Sequence, residues 1–312
     1  METLHLTHES INQSLQVKPS AVAVGFFDGV HKGHQAVIQK AKEKADELGI
    51  QSAVMTFDPH PSVVLKKGKI NAHYITPLEE KEQVLASMGI DYMFVVKFDK
   101  SLAQLSPQEF VDSFFVGLGV QHVVAGFDFT FGHKGKGTME ILPELSHGRF
   151  TQSVIAKVEK EEDKISSTRI RQVLDEGRVE EAKTLLGRPY SIKGKVIEGD
   201  KRGRTIGFHT ANMEIDHDYY LPKIGVYAVR VIHQGTSYPA MANLGVKPTF
   251  EGDREPNVEV HIFDFDEDLY DQMIVVEFHL MVREEKRFSG VEELKGQLVD
   301  DEAQIRHFFS DR

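Results

Sequence analysis

Gly25-Phe-Phe-Asp28-Gly29-Val-His31-Lys-Gly33-His34 brings two histidines, an acid and three glycines together in ten residues. It follows an apolar run, Ala21-Val-Ala-Val24, and precedes an amphipathic helical pattern that begins near Gln35. A strand that ends in a glycine-rich turn and opens a helix suits phosphate. The helix N-terminus offers unpaired N–H groups and the positive end of its dipole. Glycine lets backbone approach an anion without a Cβ in the way. Two histidines three apart can both donate hydrogen bonds to phosphate oxygens.

Other phosphate loops fit poorly. The closest approach to a P-loop, Gly132-His-Lys-Gly-Lys-Gly-Thr138, lacks the Lys-Ser/Thr step, and no Gly-x-Gly-x-x-Gly follows a strand pattern. With Gly25, Phe27-Asp28-Gly29 and this strand–turn–helix setting, His31-Lys-Gly-His34 resembles the nucleotidyltransferases that share a His-x-Gly-His turn. Members of that superfamily attack the α-phosphate of a nucleoside triphosphate and release pyrophosphate. The lesser alternative is a tight turn with two surface histidines.

Outward from the turn, strand and helix patterns alternate. Helix 35–48 places Ala36, Val37, Ala41, Ala45 and Leu48 on one side, with Gly49 as its C′ residue. Strands are expected at 52–57, 92–96, 122–125 and 154–158. Thr76-Pro-Leu-Glu79 and Ser106-Pro-Gln-Glu109 each read as N-cap, proline at N1 and capping-box glutamate. This alternation predicts an α/β fold with a doubly wound parallel sheet, whose ligands bind beyond the carboxyl ends of the strands. Asp58-Pro59-His60-Pro61 follows one strand. Gly126-Phe-Asp128-Phe-Thr-Phe131-Gly132 follows another, as an aromatic slot with a carboxylate or simply as a strand edge over core. In Ile165-Ser-Ser167-Thr168-Arg169-Ile-Arg171, Ser167 or Thr168 reads as the N-cap of a helix whose apolar side is Ile170, Val173 and Leu174. Arg169 is unfavourably placed for the helix dipole, and an anion bound at that end would offset it.

The pattern changes near Leu186-Gly187-Arg-Pro189, so domains of 1–186 and 187–312 are expected. Short strand patterns at 191–198, 226–233, 237–243, 257–265 and 273–282 suggest a small antiparallel β-barrel. A helix over about 290–309 would pack on it through Val291, Leu294, Leu298 and Ile305. Gly199-Asp-Lys-Arg-Gly203-Arg204-Thr-Ile-Gly207 makes a basic, glycine-rich loop suited to polyphosphate. Thr210 and Asn212, just beyond it, are oxygen donors of the class Mg²⁺ takes when nucleotide phosphates complete its octahedron. In Asn257-Val-Glu259-Val-His261-Ile-Phe263, a strand puts Val258, Val260 and Ile262 on one face and Glu259 on the other. A lone carboxylate on a barrel interior is a candidate general base; otherwise Glu259 is a solvent-facing strand residue.

These motifs, in order and at these spacings, resemble the prokaryotic bifunctional riboflavin kinase/FAD synthetase family. The FMN adenylyltransferase module covers roughly 1–186 and the kinase module 188–312. The resemblance implies that His31 and His34 stabilise the ATP phosphates and the charge developing in transfer. Ser167, Thr168 and Arg169 would close over the triphosphate, with Gly25, Phe26, Asp28 and Gly33 forming the ATP turn. Phe57, Pro59 and Asp128 would border the flavin; the Asp128 position is often Asn in the family. In the kinase module Gly199, Gly203, Arg204 and Gly207 would hold ATP, Thr210 and Asn212 Mg²⁺, and Glu259 would deprotonate the ribityl hydroxyl. His209 stands where the family usually carries proline, which frees φ and restores an N–H; the metal-ligating residues remain, and an active kinase is expected. A monofunctional FAD synthetase with a degenerate barrel and a non-catalytic flavin-binding regulator are the alternatives.

Composition narrows the classes. The 312 residues contain no cysteine, which excludes disulfides, thiolate nucleophiles and Cys-ligated metals. A formal charge of −11 argues against a nucleic-acid partner and fits small-molecule work; the resemblance implies riboflavin, FMN, FAD and ATP as those small molecules. No signal peptide is apparent and no apolar run approaches the roughly 20 residues a membrane helix needs. A cytoplasmic monomer or weak homo-oligomer is the expectation.

Overall fold

The computed structural model describes residues 1–312 except 12–15, 66–71, 157–158, 161–162, 200–206, 216–217, 249–253 and 311–312. It divides into two units, Met1–Ser167 and Thr168–Arg312.

In the first unit six parallel strands form one sheet: β1 (Glu2–Leu6), β2 (Ser20–Val24), β3 (Gln51–Asp58), β4 (Tyr92–Lys97), β5 (Val120–Gly126) and β6 (Thr151–Ile155). Their order is β1-β4-β3-β2-β5-β6. Every residue of β2 is buried, as a central strand covered on both faces must be. One face packs on a cluster that includes Met55, Phe94, Phe114 and Phe115. The other packs on helix α1 (Lys32–Leu48) through Val37, Ile38 and Ala41. From β2 the chain winds through β3 to β4 on one side, then crosses to β5 on the other. The carboxyl ends of β2 and β5 therefore flank the switch point where open α/β sheets bind ligands.

Several expected boundaries move. Helix α1 begins at Lys32, three residues before Gln35, because His31 itself is the N-cap: its Nδ1 accepts from the His34 N–H at 3.2 Å. Helix α2 (Leu78–Ser87) has no capping box, since Pro77 occupies the N-cap and the Thr76 N–H donates to Asp28. The box at Ser106 and Glu109 does form. Strand β6 ends at Ile155, so it lies earlier than 154–158. Edge strand β1, pairing with β4, was not legible in the pattern.

The second unit opens with the remainder of helix α3 (Ser167–Asp175) and helix α4 (Val179–Leu186). Six antiparallel strands then close a barrel: β7 (Tyr190–Ile197), β8 (Ala211–Ile215), β9 (Gly225–His233), β10 (Thr236–Pro248), β11 (Arg254–Ile262) and β12 (Met273–Arg283). Their order is β7-β8-β11-β10-β9-β12, with β7 pairing back to β12. Strand β8 is not among the strands that the sequence pattern predicts. Helix α5 (Val291–Ser310) packs on the barrel through Leu298 and Ile305, joined by Phe308 and Phe309. Val291 is exposed and Leu294 only half-buried. The helix is instead anchored by buried Asp301, whose carboxylate takes Nε and Nη2 of Arg283 at 2.9 and 2.8 Å.

Candidate active site

The turn after β2 is strained and tightly held. Phe27 (φ 54°) and Val30 (φ 40°) both sit at positive φ, costing about 1–3 kcal/mol each, and such outliers persist where the surroundings over-determine them. The surroundings here are explicit. The Phe26 carbonyl accepts from Thr56 Oγ1 at 2.9 Å and from Lys81 Nζ at 2.8 Å. Buried Asp28 accepts the Ile75 and Thr76 N–H groups at 2.9 and 3.2 Å. Its own carbonyl accepts from Ser167 Oγ at 2.9 Å. A Cβ at Gly25 would come within 2.9 Å of the Phe27 ring, and one at Gly33 within 3.1 Å of the His31 ring. The glycines are therefore required by close approach.

His31 and His34 stack with ring centroids 3.5 Å apart. Because His31 Nδ1 accepts a hydrogen bond, its neutral tautomer carries the proton on Nε2. His34 Nδ1 is buried without a partner among the described residues. A buried lone pair is cheaper to leave unmet than a buried N–H, which again favours the Nε2–H tautomer. Burial, followed by the charges of His31 and Lys81, holds His34 well below the usual imidazole range. His34 thus supplies a neutral Nε2–H donor at the start of α1, and His31 an Nε2–H donor stacked beside it.

Among the flavin-side candidates, Phe57 lies in the core, with its ring 6.4 Å from both Phe98 and Phe110. Pro59 follows Asp58 through a cis peptide. Asp128 is exposed. The three phenylalanines divide: Phe131 is buried, Phe129 packs against the same cluster, and Phe127 is half exposed. Phe26 instead meets His60 edge-on at 4.4 Å and Tyr74 at 6.0 Å, a grouping the sequence did not single out. The Ser167 hydroxyl does not face outward as a free cap; it is the first helical residue and is tied to Asp28. Thr168 is exposed. Arg169 is paired with Glu181 of α4 at 2.7 Å and with Gln172 at 3.0 Å.

In the barrel, register does what sequence distance conceals. Asn212 of β8 lies opposite Glu259 of β11, and Glu259 lies opposite Asn243 of β10. Paired residues share a face, so Asn212, Glu259 and Asn243 form one row. Thr210, two residues before Asn212, lines a cavity of about 300 Å³ together with Gly199, His209 and Asn212. The interior reading of Glu259 is corrected here: fully buried Val258 and Val260 point inward, and Glu259 stands half-buried on the outer face. That face also carries Met241 and His261, which meet α5. Asn257 Nδ2 donates to Glu259 Oε1 at 2.8 Å, orienting the carboxylate. The His209 carbonyl accepts from His261 Nδ1 at 2.7 Å. A Cβ at Gly199 would collide with the Asn212 amide. Gly207 has φ 86° and open space around it; Gly203 and Arg204 lie outside the described residues. The far wall of the cavity, Phe265 to Tyr270, was not anticipated. Its only signal is an acidic, aromatic run directly after a strand.

A glycine-rich strand–turn–helix at the switch point of a parallel sheet, followed by a barrel that aligns oxygen donors with a carboxylate, has the form of an ATP-dependent transferase with two sites. Family models agree: FAD synthetase matches residues 13–169 and riboflavin kinase residues 186–309. Proteins described as bifunctional riboflavin kinase/FMN adenylyltransferase are 47% identical in Listeria monocytogenes, over 99% of each chain, and 46% identical in Bacillus subtilis, over 99% of each chain. The chain belongs to this family of bifunctional riboflavin kinase/FMN adenylyltransferases. A solved structure described as a macrolide-efflux protein from Streptococcus pneumoniae matches with TM-score 0.90 at 36% identity, covering 98% of this chain and 99% of that one. Among the described residues no helix is long and apolar enough to cross a membrane.

Proposed function

We propose that the chain makes FMN and then FAD, with residues 187–312 carrying the first step and residues 1–186 the second. The observation that supports the kinase assignment best is the single row of Asn212, Glu259 and Asn243, with Thr210 beside it. Glu259, held by Asn257, takes the proton from the 5′-hydroxyl of riboflavin. The oxygen attacks the γ-phosphate of ATP and ADP leaves. Thr210 and Asn212 would hold Mg²⁺; two neutral oxygen donors suit a cation whose remaining positions are filled by phosphates. When bound with ATP, Mg²⁺ neutralises charge on the transferring phosphoryl group. His209 does not disturb this arrangement, because its carbonyl is tied to His261 and Asn212 keeps its register with Glu259.

In the second step an FMN phosphate oxygen attacks the α-phosphate of a second ATP and pyrophosphate leaves. The nucleophile is already ionised, so no strong base is needed. Catalysis is positioning and charge stabilisation. The Nε2–H groups of His31 and His34 donate to phosphate oxygens, and the amides of the Gly25–Gly33 turn line the same anion. Ser167, Thr168 and Arg169 contribute at the start of α3, where Arg169 would exchange Glu181 for phosphate. Asp128 and the Phe26–His60 grouping border the flavin. The absence of a long apolar helix among the described residues and the polar substrates fit a cytoplasmic enzyme.

Chromatography of products from riboflavin, ATP and Mg²⁺, beside a reaction begun from FMN, tests both steps. FMN and FAD from riboflavin are expected. FAD only from supplied FMN would mean a dead kinase, and no product from either would leave a flavin-binding role.

A further inference from the structure

Helix α2 carries a lysine where its pattern calls for an apolar residue. Lys81 lies on the stripe between Leu78 and Leu85 and is only 3% exposed. Its Nζ donates to the Phe26 carbonyl at 2.8 Å and to Thr56 Oγ1 at 3.1 Å, and sits 4.7 Å from the centre of the Phe26 ring. Both hydrogen-bond acceptors are neutral oxygens. A buried ammonium without a hydrogen-bonded carboxylate costs stability. Burial pulls its pKa down to about 8 against the opposing charges of Asp28 and Asp58.

The fold does not need this charge. Thr56 Oγ1 already donates to the Phe26 carbonyl at 2.9 Å, so an apolar side chain at position 81 would leave that carbonyl paired. The adenylyl site does need charge. His34 is held neutral, so its ring offers a polyanion only a neutral donor, and the His31 Nδ1 is occupied as a cap. Lys32, the one lysine in the turn sequence, which has no arginine, is exposed.

We propose that Lys81 is a positioning residue for adenylyl transfer: its buried ammonium fixes the Phe26 carbonyl, and with it the phosphate turn, and holds a positive charge behind the ATP phosphates. This rests on the adenylyl-transfer reading of the His31–His34 turn. Lys81 acts through Phe26, and its field acts on the bound anion, where a low dielectric makes it strong.

The test uses the full chain, with FAD formation followed from FMN, Mg²⁺ and varied ATP. In Lys81→Met, kcat/KM for ATP should fall at least tenfold, and Lys81→Arg should recover most of the loss. Riboflavin phosphorylation by the same preparations should stay within twofold of wild type, which reports that each variant is folded. The wild-type kcat/KM for ATP, which follows the free enzyme, should decline above about pH 8, and Lys81→Met should lack that decline. The charged and titratable groups facing the ammonium are Asp28 from the turn, Asp58 from the end of β3 and His34 from α1. Unchanged FAD kinetics in Lys81→Met would overturn the proposal. So would equal losses in Met and Arg variants, or a parallel fall of both activities. A wild-type chain that forms no FAD from FMN would instead overturn the adenylyl reading beneath it.

Discussion

Replacing Lys81 by methionine removes a buried charge but keeps a side chain of similar length on the apolar stripe of α2. A pKa lowered from 10.5 to about 8 corresponds to about 3 kcal/mol of unfavourable burial. The unfolded chain holds that proton up to about pH 10.5 and the folded chain only to about 8. Between those values the unfolded state binds more protons, so wild-type stability rises with pH there. The penalty is complete below about pH 8 and gone above about 10.5. Lys81→Met should therefore be more stable than wild type at pH 7, by up to about 3 kcal/mol, with the advantage fading towards pH 10.5. Urea midpoints at pH 7 and pH 10 read this directly; a variant less stable at pH 7 would contradict it. Glu259 offers the opposite separation. Glu259→Gln keeps an oxygen for the Asn257 amide but cannot take a proton, so FMN formation should fall by at least 100-fold, in line with loss of a general base. FAD formation from supplied FMN should be unchanged. Normal kinase rates in that variant would remove Glu259 from the role of base.

At the scale of elements, Gly199 follows β7 at the start of the basic, glycine-rich sequence, and the Asn212 side chain fills the space its Cβ would occupy. Gly199→Ala should displace Asn212 and raise KM for Mg·ATP in riboflavin phosphorylation several-fold, with FAD formation from FMN unaffected. Steady-state kinetics of both steps check it, and an unchanged kinase KM would show that Asn212 does not meet the nucleotide. The alternation of strands and helices was legible around Gly25–His34 because β2 and α1 have strong, unlike periods. Strand β1 was not, because an edge strand with half-exposed residues carries little pattern. Strand β8 was hidden because glycines and bases before it read as loop, yet only its pairing with β11 brings Asn212 opposite Glu259. The face of Glu259 is hidden in the sequence for a related reason. Alternation says that Val258 and Glu259 point apart, but not which face a barrel closes around. Lys81 was legible in principle: a lysine at an apolar-stripe position of α2 conflicts with its helix, and such conflicts concentrate at functional sites.

For the whole molecule, two units with separate cores carry two reactions linked by one small product, FMN. The row of Asn212, Glu259 and Asn243, proposed for the kinase step, is built wholly from barrel strands, so a chain inactive in adenylyl transfer still carries it intact. The reverse holds for the His31–His34 turn in a chain lacking Glu259. FMN is soluble and anionic, and it can diffuse from one protein molecule to another. Mixing Glu259→Gln chains with His31→Asn chains should therefore restore FAD synthesis from riboflavin, although neither variant makes FAD from riboflavin alone. The time course should show free FMN accumulating first and FAD following after a lag, and the lag should shorten as the Glu259→Gln chain, which keeps His31, is raised. Chromatography of timed samples, with wild type at matched concentration, supplies the readout. If the mixture produced FMN but no FAD while Glu259→Gln alone still converted supplied FMN at equal concentration, FMN would have to be withheld by the chain that makes it. Recovery with the expected lag would instead mean that the two sites are coupled only by the concentration of their shared product.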